Sequence, residues 1–326
     1  MLRRVVLFVI LLGWSVAAPA ASIGDATGRT VDVPSHIQRV LPAGPPAAVL
    51  LAAIAPDLMA GWPSPISPRA RALLSPEAAR LPQVPRVTGR ADVTDKIVAL
   101  KPDLIVDYGT VSPRYSELAR ATQQRTGIPT ILLDGSLKNI PNAFRTLGSV
   151  LHREARAEEL ARFAEALLSL ATGPHAPPRV VSARGADGLE IDAPGTDVTE
   201  VFTYLGWRVI APPGNGTFRP TSIAEIRTLN PDILVFSDPA MTDTLGHSAA
   251  WQSLPAVRNG RALVVPELPF GWTDEPPSIN RLLGLAWLDG RDPAMLAATF
   301  NAVVYGHVLS AAELHTVLGG ARTLPQ

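Results

Sequence analysis

The sequence predicts two small α/β lobes, each built on a parallel sheet, joined by one long helix. Three observations carry this. A helix end, a Pro-Asp turn and an apolar strand occur twice, as VALKPDLIVDYG (98–109) and RTLNPDILVFSD (227–238). The copies lie much further apart than a solenoid period, so they mark two domains of one plan. Short apolar runs alternate with helix-compatible stretches in both halves, the pattern of parallel sheets covered on both faces. Between the halves, the stretch 139–172 has no strand pattern and reads as helix. The 326 residues suffice for two domains of roughly 150 each.

In the first half, strands are expected at RVLPA (39–43), LMAGW (58–62), DLIVDY (103–108) and TILLD (130–134), with helices near 46–55, 94–100 and 113–126. In the second, strands are expected at RVVSA (179–183), WRVIA (207–211), DILVFS (232–237) and ALVVPE (262–267). The helices between them fall near 197–205, 222–229, 247–254 and 278–288. At the joint, ARAEELARFAEALLSL places Leu160, Phe163, Leu167 and Leu170 on one face at helical spacing. Gly173-Pro174 and Pro177-Pro178 stop this helix. Extending over 155–171, it would be about 25 Å long, enough to cross between lobes. The expected division is a leader at 1–21, a first lobe at 22–138, a helical segment at 139–173 and a second lobe at 174–326.

Hydrophobic residues make up 47% of the chain and charged residues 18%, which argues for buried cores rather than disorder. Lys+Arg and Asp+Glu both total 29, so nothing in the whole-chain charge attracts nucleic acid. At the N-terminus, Arg3 and Arg4 precede an apolar run from Val5 to Ala18, then Ala18-Pro19-Ala20. The run is shorter than the roughly 20 residues a spanning helix needs, so it reads as a cleaved secretory signal. There is no Cys. This excludes disulfides, thiolate metal sites, cysteine nucleophiles and a lipid-bearing Cys at the leader's end. The mature chain is expected in a Gram-negative periplasm, without a lipid anchor.

With these features the sequence resembles the class III periplasmic substrate-binding proteins of ABC importers, from about Ile23 to the C-terminus. The markers are RVLPAGPPAAVLLAAIAPDLMAGW, DKIVALKPDLIV, ARAEELARFAEALL, IAEIRTLNPDILVF and WQSLPAVRNGRALVVPE, in that order, with DEPPSINRLLGLAWL (274–288) similar to a branch with varied small metal-containing cargo. The resemblance implies a ligand cleft between the lobes. It also implies a non-enzymatic role delivering a small metal-containing ligand to ABC permease subunits, action as a monomer, and a linking helix that limits closure. No cofactor is expected. The competing reading is an exported α/β hydrolase, but Ser136 and Ser149 lack the flanking glycines of a nucleophile elbow, and no P-loop or G-x-G-x-x-G follows a strand.

Ligands of open parallel sheets sit beyond the strands' carboxyl ends. Trp62, Tyr108 and Trp272 follow apolar runs there, and the resemblance implies an aromatic cargo contact at the last two. Arg184, Arg219 and Arg281 are candidate anion contacts, since a guanidinium matches carboxylate and oxyanion geometry. Arg281 could equally serve a salt bridge. Gly214 and Gly216 would permit close backbone approach to a ligand. Asp107, Asp134 and Asp238 are read as helix caps or loop acceptors rather than a cation rim. The six histidines form no H-x-x-x-H pair, so no bare metal site is expected. The resemblance implies permease docking at Asp95. Its second-lobe counterpart aligns with Ala224, with Glu225 one residue later. The arginines favour an anionic chelate or oxyanion, and the cargo commonest in the family that the sequence resembles favours a ferric siderophore-type chelate over molybdate or tungstate, cobalamin, haem or a nickel or cobalt chelate.

Overall fold

A computed structural model describes residues 20–89, 91–319 and 321. The leader expected over 1–21 therefore lies outside the described residues except for Ala20 and Ala21, which open a strand. Strands β1 (Ala20–Gly24) and β2 (Thr30–Pro34) form an antiparallel hairpin that the sequence reading did not anticipate. Val31 and Val33 turn inward and Thr30 and Asp32 outward, an alternation too short to stand out.

The first sheet is parallel, in the order β3 (Val40–Pro42), β4 (Leu104–Gly109), β5 (Thr130–Asp134). The stretch 58–62, expected as a strand, makes only isolated bridges, Val40 with Met59 and Trp62 with Gln83. The second sheet comprises β6 (Arg179–Arg184), β7 (Glu190–Asp192), β8 (Arg208–Val209), β9 (Phe218–Pro220), β10 (Ile233–Phe236) and β11 (Ala262–Val264). Its order is β11-β10-β6-β7-β9, with β8 also on β6. It is mixed rather than parallel, because β7 runs antiparallel to both β6 and β9.

The repeated motif is one junction built twice. The helices Thr94–Leu100 and Ile223–Leu229 each end on a left-handed residue, Lys101 and Asn230, both at φ +48°. A proline then forbids further helix. The following aspartate reaches the neighbouring strand: Asp103 accepts the Gln38 and Arg39 N–H groups at 2.8 and 2.9 Å, and Asp232 that of Arg179 at 2.7 Å. Each carboxylate satisfies a strand-start donor and fixes the parallel register.

Side-chain alternation sends one face of both sheets into a shared core. Leu104, Val106 and Ile131 of the first sheet join Val180, Ile233, Val235 and Leu263 of the second there. The opposite faces carry smaller cores: Leu41 and Ile105 over Ile97, and Val181, Leu234 and Phe236 around Trp251. The helix Pro45–Ile54, buried along most of its length, runs through the shared core. The helix Pro293–Tyr305 returns to the first half of the chain, where Asn301 donates to the Leu73 carbonyl at 3.0 Å.

Between the sheets in sequence, the helices Ile140–Leu151 and Glu154–Leu170 pack along each other. The second buries Ala157, Leu160, Ala161, Ala164, Leu167 and Leu168. Phe163 lies at the margin against Phe300, and Leu170, expected on the buried stripe, is 43% exposed. Small residues let the helices approach closely: a Cβ on Gly148 would lie 2.2 Å from that of Ala157. Gly148→Ala gains helix propensity of about 1 kcal/mol but must force this contact open. A net loss of about 1–2 kcal/mol is expected, measured by urea unfolding, because overpacking outweighs propensity.

Candidate functional site

The carboxyl ends of β4 and β6 face a cleft of about 910 Å³. Its first wall includes Gly44 to Pro46 at the start of the helix Pro45–Ile54, the proline-stiffened stretch 62–70 that leads into the short helix Pro68–Arg71, and Asp107 to Thr110 at the end of β4. The second comprises Arg184 at the end of β6, Thr217 and Phe218 entering β9, and the loop 267–277. Proline fixes φ, so the many prolines in these loops restrict their conformations before any ligand arrives.

Three of the expected residues line this cleft: Trp62, Tyr108 and Arg184. Trp62 is held from behind, its Nε1 donating to the Ala78 carbonyl at 2.9 Å and its ring 5.7 Å from that of Phe270. Tyr108 is buried, with its hydroxyl beside the Arg281 guanidinium but without a hydrogen bond of ordinary geometry. Burial pushes its phenol well above the usual range. Arg184 is enclosed by carboxylates. Its Nε donates to Asp192 at 3.0 Å, one terminal nitrogen bonds Asp274, and the other lies 3.5 Å from Glu275. The Phe218 ring covers its face at 3.9 Å.

The other three do not line it. Trp272 is fully buried behind the loop, its Nε1 on the Leu268 carbonyl at 3.2 Å and its ring edge-on to Trp287. Arg219 folds back on its own loop to bond the Pro212 carbonyl, and neither Gly214 nor Gly216 is among the residues lining the cleft. Its strand neighbour Phe218 takes the cleft position, because adjacent strand residues point to opposite faces. Arg281 is 1% exposed and serves as an internal ion-pair partner of Glu200 at 2.8 Å. Asp95 and Glu225 are both exposed, in the first turns of the two equivalent helices, where the dipole favours an acid. Glu225 also accepts from Ser222 at 3.0 Å.

Asp134 and Asp238 accept the loop N–H groups of Ser136 and Ala240, both at 2.9 Å. Asp107, read as another such acceptor, bonds the Tyr108 N–H but also lines the cleft. The sequence reading missed Arg69, Arg86, Glu267, Asp274 and Glu275. The acidic pair in DEPP and the clustered prolines were the available signals. Among the described residues, no group of three or more His, Asp or Glu could hold a metal ion.

Burial pushes the Asp107 carboxyl up to about 6, against the partial relief of the Tyr108 N–H and the Arg86 charge. The folded chain therefore binds this proton more tightly than the unfolded one. Its stabilising contribution is complete below the unfolded value near 3.8 and is lost as pH rises through about 6. Asp107→Asn removes the charge, so it should stabilise the protein by up to about 3 kcal/mol at pH 8. The advantage should shrink toward pH 4, as read from urea melts at both pH values.

Three comparisons place this geometry. No curated protein matches the chain in sequence. Among solved structures, the ABC transporter solute binding protein from Sulfurospirillum deleyianum superposes with a TM-score of 0.82 at 25% identity, covering 91% of this chain and 98% of that one. The molybdate periplasmic binding protein MolA of Haemophilus influenzae, bound to molybdate, gives 0.67 at 16%, covering 89% and 99%. CeuE of Helicobacter pylori with Ni(II) bound gives 0.65 at 16%, covering 91% and 99%. The last two likenesses carry the fold alone. The family and the first two of these neighbours are binding proteins rather than enzymes. Since the periplasmic binding protein model matches residues 65–268, most of the chain, the protein belongs to that family.

Proposed function

We propose that this protein captures a small metal-containing ligand, most simply a ferric siderophore-type chelate, and delivers it to the permease of an ABC importer. Family membership carries the coarser part: an extracytoplasmic binding protein that serves an ABC transporter and takes a small ligand. The finer part rests on one observation, the volume and lining of the cleft. At about 910 Å³ it lies near the upper end of small-molecule sites, far larger than a bare ion or a tetrahedral oxyanion needs. Its aromatic and proline walls suit the organic shell of a chelate. An oxyanion would need several free donors converging on one point, and the cleft's Arg184 is already committed to carboxylates.

In this reading the first 21 residues are a cleaved leader and the mature chain works as an unanchored monomer. The helix Glu154–Leu170 is the stiff link between a first lobe at 22–138 and a second at 174–326, within the segment 139–173. Asp95 and Glu225 present one acid from each lobe to the permease.

Equilibrium dialysis of the purified chain against ferric hydroxamate chelates is expected to give saturable one-to-one binding. Failure of every metal chelate to bind the folded protein would refute the reading. The double variant Asp95→Lys/Glu225→Lys should bind cargo like the wild type yet lose most permease-dependent uptake in a transport assay. Uptake at the wild-type rate would remove these two acids from the docking proposal.

A further inference from the structure

Building on that reading, we propose that the cleft selects metal chelates of neutral or positive net charge and that Glu275 is the residue that rejects anionic ones. The lining holds five carboxylates, Asp107, Asp197, Glu267, Asp274 and Glu275, against the guanidiniums of Arg69, Arg86 and Arg184. Arg184, the guanidinium of the second wall, is not left as a free anion receptor. Arg69 makes only a long contact of 3.6 Å with Glu267, and Arg86 donates from its Nε to Thr88 at 3.1 Å and acts on Asp107 through charge alone. Arg184 serves three carboxylates at once, one of them Asp192 behind the wall.

The surplus negative charge therefore gathers on the second wall, around Arg184. Glu275 is the most exposed of the carboxylates on Arg184, with a side chain 57% exposed and a single loose ion pair. Although its tip meets solvent, enclosure by the wall and then the charge of Asp274 push its carboxyl up, against the lowering by Arg184, and Asp192, Asp274 and Glu275 all crowd that one guanidinium. A cation or an N–H donor on the cargo would relieve this crowding, whereas a carboxylate would add to it. Glu275 also adopts φ +59°, a left-handed conformation rare for residues other than glycine and kept only where the surroundings hold it. The carboxylate is thus presented from a fixed backbone, with the Phe218 ring and the loop prolines beside it for the cargo's apolar spans.

The test uses one ferric hydroxamate core with three side arms: ferrioxamine B with its free ammonium, its N-acetyl derivative and its N-succinyl derivative. Ferric citrate, ferric enterobactin, cobalamin, nickel–histidine and molybdate complete the panel. Affinities are measured by equilibrium competition at pH 7.5 for the wild type and Glu275→Gln. The tightest ligand is expected to be neutral or cationic. In the ferrioxamine series or, if that core does not bind, across the panel, Glu275→Gln should narrow the gap between cationic and anionic members by about tenfold. A preference of the wild-type protein for anionic members overturns the charge inference but leaves the metal-chelate reading intact. An unchanged gap in Glu275→Gln removes Glu275 as the discriminating residue. Silence across the whole panel from a folded protein overturns the metal-chelate reading and the charge inference with it.

Discussion

The buried guanidinium of Arg281 holds together the parts on which the cleft depends. It donates to the Gly135 carbonyl beyond β5, to the Asp197 carbonyl at 2.9 Å and to Glu200 at 2.8 Å. Glu200 in turn accepts the Leu137 N–H at 3.0 Å, so one ion pair ties the end of the first sheet to the start of the helix Glu200–Tyr204. A buried charge pair adds little net stability over apolar packing, but losing either partner strands the other, so the geometry is enforced. Gly135 makes the site possible: a Cβ there would lie 2.6 Å from the Gly109 Cα, so only glycine lets the ends of β4 and β5 come this close.

The cleft inherits its shape from this clasp. Tyr108 stands directly against Arg281, and Asp197 receives the Thr110 hydroxyl across the opening at 3.1 Å. Ser278 adds a further tie, donating to the Pro46 carbonyl at 2.8 Å. Walls tied at several points and lined by prolines lose little conformational freedom when a ligand enters, which leaves more of the contact energy as affinity.

Charge in this protein is used first for construction. Arg184 and Arg281 are both engaged by carboxylates and carbonyls of the fold, and neither is left to receive an anion. An arginine at a strand's carboxyl end therefore does not by itself mark an anionic ligand. The surrounding acids decide whether its charge is available, and here they more than cancel it.

What the sequence determined by itself was local. The helix over 94–100, its left-handed cap, the proline stop and the aspartate that reaches the next strand all follow from residues a few positions apart, and the unit recurs at 223–233 for the same reason. The positions of Tyr108 and Arg184 at the cleft were legible too, because both close apolar strands whose parallel neighbours end on the same side. Tertiary structure decided the rest. It turned Phe218 rather than Arg219 to the cleft, buried Trp272, made the second sheet mixed and brought the helix Pro293–Tyr305 back to the first half of the chain. It also gave Arg281 its partner at Gly135, 146 positions away. Hydrogen bonds and charge pairs between such distant residues leave no periodic trace in the sequence, so only the folded chain reveals which side chains remain free to bind.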